Sequence, residues 1–211
     1  MSAIRTGKFI TLEGGEGVGK STQLQRLAEA LRARGLSVVT TREPGGTPGA
    51  EAIRNLLMTG AADKWSARAE ALLFAAARAD HVEKLIRPAL ARGDWVLCDR
   101  YIDSTRAYQG GAGGMSDADI MALHRLGAGL MPDRTLLLEM PIHLGHERAE
   151  QRDGGKVDRF SQRGAEYHTK LDMAFIGLAN AEPERFRRID ASGTPDEVTA
   201  RLLNALTDLL Q

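Results

Sequence analysis

The chain has 211 residues, 43% hydrophobic and 27% charged, the profile of a globular rather than a disordered protein. Lys and Arg total 28 and so do Asp and Glu, so no net charge drives binding to duplex nucleic acid, although a local basic site is still allowed. A single cysteine, Cys98, excludes an internal disulfide and a Cys-based zinc site and fits a reducing compartment.

The longest apolar run, Ala71 to Ala77, is far too short for a membrane span, and residues 1–8 lack the apolar stretch of a signal peptide. A soluble, cytoplasmic protein is therefore expected. Phe9 to Leu12 is short, β-rich and followed by glycines, which predicts a buried strand. Leu24, Leu27, Ala28 and Leu31 lie on one face of a helix that Gly35 stops. Ser37 to Thr41 is a second strand, broken by Pro44-Gly45-Gly46, and helical patterns follow at about 48–58 and 66–92. Trp95 to Cys98 is a third strand, a helix near 117–129 comes next, and Thr135 to Leu138 is a fourth strand. A helix at about 143–151 leads into a polar segment, 151–164. A helix at about 165–181 and a strand, Phe186 to Ile189, follow. Thr194-Pro195-Asp196-Glu197 is a capping box with Pro at the first helical position, opening a last helix with Val198, Leu202, Ala205, Leu206 and Leu209 on its apolar face. Strands alternating with helices, and apolar throughout rather than every second residue, predict a three-layer α/β fold: a five-stranded parallel sheet with helices on both faces. Ligands in such folds bind beyond the carboxyl ends of the strands.

Gly14-Gly15-Glu16-Gly17-Val18-Gly19-Lys20-Ser21 matches G-x-x-x-x-G-K-[ST], and it follows a strand and opens an amphipathic helix. Glycines let backbone N–H groups curl around an anion, and the helix N-terminus adds its positive end. Lys20 reaches the β- and γ-phosphates, and the Ser21 hydroxyl suits Mg²⁺. Three classes of phosphate-loop protein compete. A GTPase switch needs a guanine-reading N-K-x-D, but neither Asn55, Asn180 nor Asn204 is followed by Lys. A motor ATPase usually brings a longer chain. A kinase acting on a small acceptor leads. Asp99-Arg100-Tyr101 closes the third strand, where Asp99 suits Mg²⁺ through water and Arg100 forks onto a phosphate.

Several blocks in order then carry a resemblance. They are Gly14–Ser21 with an acid at Glu16, Thr41-Arg42-Glu43-Pro44-Gly45-Gly46, Phe74 with Arg78, Asp99-Arg100-Tyr101, Ser104-Thr105-x-Ala107-Tyr108-Gln109-Gly110-Gly111, and Asp158-Arg159. With them the chain resembles the bacterial thymidylate kinases, P-loop nucleoside monophosphate kinases that pass the γ-phosphoryl of ATP to dTMP, giving dTDP for dTTP synthesis. Another nucleoside monophosphate kinase of the same fold is the runner-up, and a P-loop regulatory protein a distant third.

The resemblance implies one kinase domain over 1–211 with a lid at about 151–164, ATP and Mg²⁺ as cofactors, no nucleic acid or membrane partner, and a homodimer formed through helices flanking the sheet. The donor is expected on Gly14, Gly15, Glu16, Gly17, Val18, Gly19, Lys20, Ser21 and Thr22, with Arg148 against adenine and Mg²⁺ on Ser21 and Asp99. Glu16 is similar to a family acid near the sugar 3′-hydroxyl. Arg54 and Arg100 resemble the pair that grips the acceptor phosphate, Phe74 the ring that stacks on thymine, and Arg78 the residue at the base edge. Thr105 and Gln109 add polar contacts, and Tyr108 crowds the sugar 2′ position. Lid cations Arg148, Arg152, Lys156 and Arg159 are expected around the phosphates, with Arg152 or Arg159 on the transferred group, and Glu43-Pro44 is expected to be cis. Two departures stand out: Ser161 where the family pattern has Glu, and Glu139 where Asp is usual.

Overall fold

The computed structural model describes residues 7–141, 144–145, 148, 159–160 and 163–210. The strands are β1 (Phe9–Glu13), β2 (Val38–Arg42), β3 (Trp95–Asp99), β4 (Arg134–Glu139) and β5 (Phe186–Asp190). All pair in parallel in the order β2-β3-β1-β4-β5. The five predicted strands are all present, displaced at their ends by a residue or so.

The sheet is covered on both faces because adjacent strand residues feed opposite cores. Ile10, Leu12, Leu97, Leu136 and Leu138 pack under α1 (Lys20–Arg32) and the last helix. Phe9, Val96 and Cys98 pack with Val82, Ile86, Tyr101 and Ile120 on the other side. This two-sided burial is why the inner strands β1, β3 and β4 read as largely apolar runs. A third cluster joins Leu137 and Phe186 to Tyr108, Phe160, Leu171 and Phe175. It ties the β4–β5 half to the segment after β3.

Helix starts follow their caps. The Thr47 hydroxyl accepts from Ala50 N to open α2 (Pro48–Met58), and Ser66 does the same for α3 (Ala67–His81). The long helix expected over 66–92 is present over residues 67–91, but it is not α-helical throughout. A π turn, Val82–Ile86, separates α3 from α4 (Arg87–Ala91), with Arg87 N bonded to Val82 O. Pro88 follows at once; it has no N–H for an α-helical bond and its ring crowds the preceding turn, which the widened turn accommodates.

Between β3 and α6 (Asp117–Gly127) lies a helix that sequence reading did not predict. A single turn, α5 (Ile102–Thr105), runs into a π turn, Arg106–Gly111. It has no periodic apolar face and ends in two glycines. Gly111 is required there, because a Cβ would come within 2.3 Å of the Ala174 Cβ on α7 (Ala165–Ala181). The predicted capping box is present at Thr194 and Glu197, opening α8 (Pro195–Asn204). Most of the helix expected at 143–151 falls outside the described residues, although Leu144, Gly145 and Arg148 are helical.

Candidate active site

β1 is the central strand, and the two halves of the sheet diverge beyond its carboxyl end, where an open α/β sheet forms its crevice. A cavity of 680 Å³ lies there. Its lining runs from the phosphate loop, Glu16 to Gln23, to Phe74, Arg78, Tyr108 and Gln109 at the other end. Arg54, Asp99, Arg100, Thr105 and Arg148 line it as well. Of the expected site residues that are described, Gly14, Gly15 and Arg159 do not line it.

The phosphate loop turns because Gly14 sits at φ 133°, where a Cβ would lie 2.3 Å from Leu138 O, and because left-handed Gly19 (φ 89°) caps α1. Lys20 folds back and donates to the carbonyls of Gly14 and Gly15. Burial brings its ammonium down to about 7; Arg100 adds to the fall while Asp99, Glu13 and Glu16 oppose it. An anion beside Lys20 would reverse that shift. Ser21 Oγ donates to Asp99 Oδ2 at 2.7 Å, so the last phosphate-loop residue meets the end of β3. Hydroxyl and carboxylate are the hard oxygen donors Mg²⁺ takes, so the pair fits that ion. Among the described residues no group of three or more His, Cys, Asp or Glu side chains could hold a metal. A cation here would draw its other ligands from phosphate and water, as Mg²⁺ does.

Arg100 stands between the two ends. It is the one described non-glycine residue with positive φ, 68°, a strained backbone of the kind found at functional sites. Its Nη1 donates to Gly14 O (3.1 Å) and Ser104 Oγ (3.2 Å), and its guanidinium lies 5.2 Å from the Tyr108 ring centroid. Burial opposes its charge, but Tyr108, Asp99, Glu13 and Glu16 outweigh burial and push its pKa up.

Glu13, which sequence reading passed over, holds this turn. It is fully buried; Oε1 accepts Tyr101 N at 2.8 Å and Oε2 accepts Ser104 Oγ at 2.6 Å. Burial pushes its carboxyl up to about 8; Asp103 adds to the rise, and Ser104 and Arg100 oppose it. A charged residue ending an apolar strand, directly before Gly14, was the available signal.

The far end of the cavity is built from four segments. The Glu43-Pro44 peptide is cis, as expected. The Glu43 carboxylate accepts Arg78 Nε at 2.8 Å on Oε2, and Oε1 lies 3.2 Å from His81 Nδ1. Arg78 Nη2 donates to Thr105 Oγ1 at 3.0 Å, and its guanidinium lies 5.0 Å from the Tyr101 ring centroid. Arg54 Nη1 donates to Pro44 O at 2.8 Å. Gln109 Nε2 donates to Glu70 Oε2 at 2.8 Å, while its Oε1 is buried with no partner among the described residues. Phe74 and Tyr108 face Phe160, at centroid distances of 6.1 and 5.8 Å.

Arg152 lies outside the described residues, with Lys156 and Ser161. Arg159 is fully buried, and its guanidinium donates to the carbonyls of Leu57, Ala61 and Ala62 and pairs with Glu70 at 2.8 Å. Its nitrogens are engaged away from the phosphate loop. Glu139, the departure at the end of β4, pairs with Arg188 at 2.8 Å. Gly14 and Gly15 line a smaller cavity, of 250 Å³, behind the loop. Among the described residues no helix is long and apolar enough to cross a membrane.

The family profile described as Thymidylate kinase matches residues 12–202. The thymidylate kinase of Rhizorhabdus wittichii is 60% identical over 205 residues, 97% of this chain and 99% of that protein. That of Caulobacter vibrioides is 52% identical over 207 residues, 97% of this chain and 98% of that protein. A crystal structure of thymidylate kinase from Ehrlichia chaffeensis superposes with a TM-score of 0.77 at 32% identity, over 96% of this chain and 99% of that one. Together with a cavity that joins a phosphate loop to an aromatic, arginine-edged pocket, these likenesses mean that the chain belongs to the thymidylate kinase family.

Proposed function

We propose that the two ends of this cavity are its donor and acceptor sites, ATP lying on the phosphate loop and dTMP between Phe74 and Tyr108, and that the chain converts dTMP to dTDP. One observation carries the reading. Arg100 touches both ends at once, bonded to the loop at Gly14 O and laid over Tyr108. There it neutralises phosphates of both ligands, with Arg54 as its partner on the acceptor phosphate.

An acceptor phosphate oxygen attacks the γ-phosphorus, the bond to the β–γ bridging oxygen breaks, and ADP leaves with the electron pair. That nucleophile is already anionic at neutral pH, so the protein's task is alignment and charge neutralisation rather than proton removal. Lys20 serves the β- and γ-phosphates, and Glu16 stands near the acceptor sugar. Arg148, exposed at the rim, is assigned to adenine. With Arg159 committed to Glu70, the cation for the transferred group is assigned to Arg152. Ser21 and Asp99 would hold Mg²⁺, which when bound neutralises charge on the β- and γ-oxygens.

Base choice rests on two groups. Arg78 Nη1 makes no hydrogen bond among the described residues and suits a carbonyl oxygen. The buried Gln109 Oε1 has no donor among the described residues. Thymine offers both an O4 acceptor and an N3–H donor, whereas cytosine offers an amino group and a bare N3. Thr105 orients Arg78. Tyr108 is assigned to exclude a 2′-hydroxyl. A homodimer is proposed through α3 and α6, where Leu72 and Leu126 are exposed. Sedimentation of a Leu126→Glu variant as a monomer would agree with that interface. A cytoplasmic setting agrees with the one cysteine, Cys98, being free and buried.

Incubation with ATP-Mg²⁺ and dTMP, dUMP, UMP or dCMP in turn tests the assignment. The order expected is dTMP first, dUMP weaker, UMP and dCMP poor, and Tyr108→Ala should narrow the gap between dUMP and UMP. A preference for UMP or dCMP would reject the acceptor reading and leave a different nucleotide kinase.

A further inference from the structure

Glu70, Phe74 and Arg78 stand four residues apart on α3, so they share one face. The two C-terminal members belong to the proposed acceptor pocket. Glu70 is a fully buried carboxylate one turn earlier, and neither oxygen faces the nucleotide sites. Oε1 forms an ion pair with Arg159 at 2.8 Å and accepts from Arg163 Nη2 at 2.7 Å, and Oε2 accepts the Gln109 amide nitrogen at 2.8 Å. A buried carboxylate is costly unless paired, and here two guanidiniums pair it.

Each partnership fixes something in the pocket. A carboxylate only accepts, so Glu70 requires the NH₂ end of the Gln109 amide, which leaves Oε1, buried and without a partner among the described residues, as the free end of a side chain that lines the cavity. The guanidiniums of Arg159 and Arg163 lie 5.2 and 5.0 Å from the Phe160 ring centroid. Arg163 also donates to Tyr167 Oη (2.6 Å), which in turn donates to Tyr108 O (2.9 Å). Arg159 is anchored further by the carbonyl of Leu57, in the last turn of α2, which has no basic residue there, and by those of Ala61 and Ala62 in the connection that follows. The Phe160 ring is thereby set against Phe74 and Tyr108 as a wall of the cavity.

We infer that Glu70 is a positioning residue for acceptor choice: one oxygen sets the orientation of the Gln109 amide that reads the base, and the other, through Arg159 and Arg163, holds Phe160 as a wall of the base pocket. The inference rests on the acceptor reading above. Arg159 then acts in this clasp and not on the transferred phosphoryl group.

Glu70→Gln can donate to Gln109 Oε1 and let the amide turn over, presenting NH₂ to the base. That arrangement suits the bare N3 of cytosine. Steady-state kinetics with dTMP, dCMP and ATP on Glu70→Gln, Phe160→Leu, Arg159→Lys and Phe74→Ala separate the possibilities. Glu70→Gln should raise KM for dTMP and shrink the dTMP-over-dCMP ratio of kcat/KM by about tenfold, the effect of one mispaired buried group, while KM for ATP stays within about twofold. Phe160→Leu, which leaves the clasp in place, should raise KM for both acceptors about threefold and leave their ratio alone. A Glu70→Gln enzyme that keeps the wild-type ratio overturns the inference. So does an unchanged dTMP KM in Phe160→Leu, which decides the matter if Glu70→Gln does not fold. So does Arg159→Lys losing on the order of 10³ in kcat at constant KM, the signature of a finger on the transferred group. If Phe74→Ala leaves KM for dTMP untouched, the acceptor reading itself fails. If Phe74→Ala raises that KM and Glu70→Gln keeps the ratio, only the present inference fails.

Discussion

The two ends of the cavity hold their charges in opposite ways. At the phosphate loop, Lys20 is buried against the carbonyls of its own loop, and its ammonium has been pushed down to about 7. At the base end, Arg78 is buried to a similar degree but paired to Glu43, which also meets His81. The donor end is short of negative charge until a polyphosphate arrives. The base-reading part of the acceptor end is charge-paired beforehand and offers shape and a few directed polar atoms. Preorganisation of this second kind gives specificity, while an unmatched charge of the first kind gives ligand-driven binding.

The largest expected effects come from removing the charges that meet phosphate. Lys20→Ala should lower kcat/KM by about 10²–10³ or more, by analogy with loss of a single transition-state donor. Its fold should not suffer. The folded-state pKa lies below the ordinary value of 10.5, so ionised Lys20 disfavours folding most below pH 7, and the penalty fades as pH rises toward 10.5. The Tm of Lys20→Met should accordingly exceed wild type by more at pH 6 than at pH 9; a drop at both would contradict the contrast. Arg152→Ala should cost on the order of 10³ in kcat, a loss comparable to that of an arginine finger.

At the base end the expected damage is to stability and choice. Glu43→Gln leaves Arg78 buried without its carboxylate, which should cost about 3–5 kcal/mol in denaturant unfolding. A loss under about 1 kcal/mol would mean that the pair is not the support described here. Arg78→Ala should narrow the dTMP-over-dCMP preference by one to two decades, about 1–3 kcal/mol. The thymine methyl is a single carbon, so dUMP should lag dTMP in wild type by only about 1 kcal/mol.

The smallest effect concerns pH. A phosphate beside Lys20 raises its pKa, so ATP binding above pH 7 takes up a proton and weakens as pH rises, by at most about tenfold per pH unit. Titration in two buffers of different ionisation heat reads this uptake directly.

The same contrast explains what was legible in the sequence. The donor end is one contiguous stretch, Phe9 to Ser21, whose strand, glycines and lysine all obey local rules. The inner strands β1, β3 and β4 were readable for a similar reason, each being buried on both faces, while the edge strands β2 and β5 are only partly buried. The acceptor end is gathered from residues 43–54, 74–78, 100–109 and 160, and only the resemblance to a family drew them together. The helix at 102–111 was invisible because a four-residue turn and a π turn have no amphipathic period. Glu13 and Glu70 belong to no motif, and each is explained only by partners far away in the chain, Tyr101 and Ser104 for one and Arg159 and Arg163 for the other. Glu70 did leave a trace, four residues before Phe74 and eight before Arg78. The π turn at Val82–Ile86 was also announced, by Pro88, inside the helix expected over 66–92.

The division of the cavity into two differently built ends is tested most directly by calorimetric titration of dTMP and of an unreactive ATP analogue into Lys20→Ala and Phe74→Ala. The expected pattern is crossed: Lys20→Ala loses the analogue by about tenfold or more and keeps dTMP within about twofold, and Phe74→Ala does the reverse. If either variant weakened both ligands equally, the donor and acceptor ends would not be the separate sites described here.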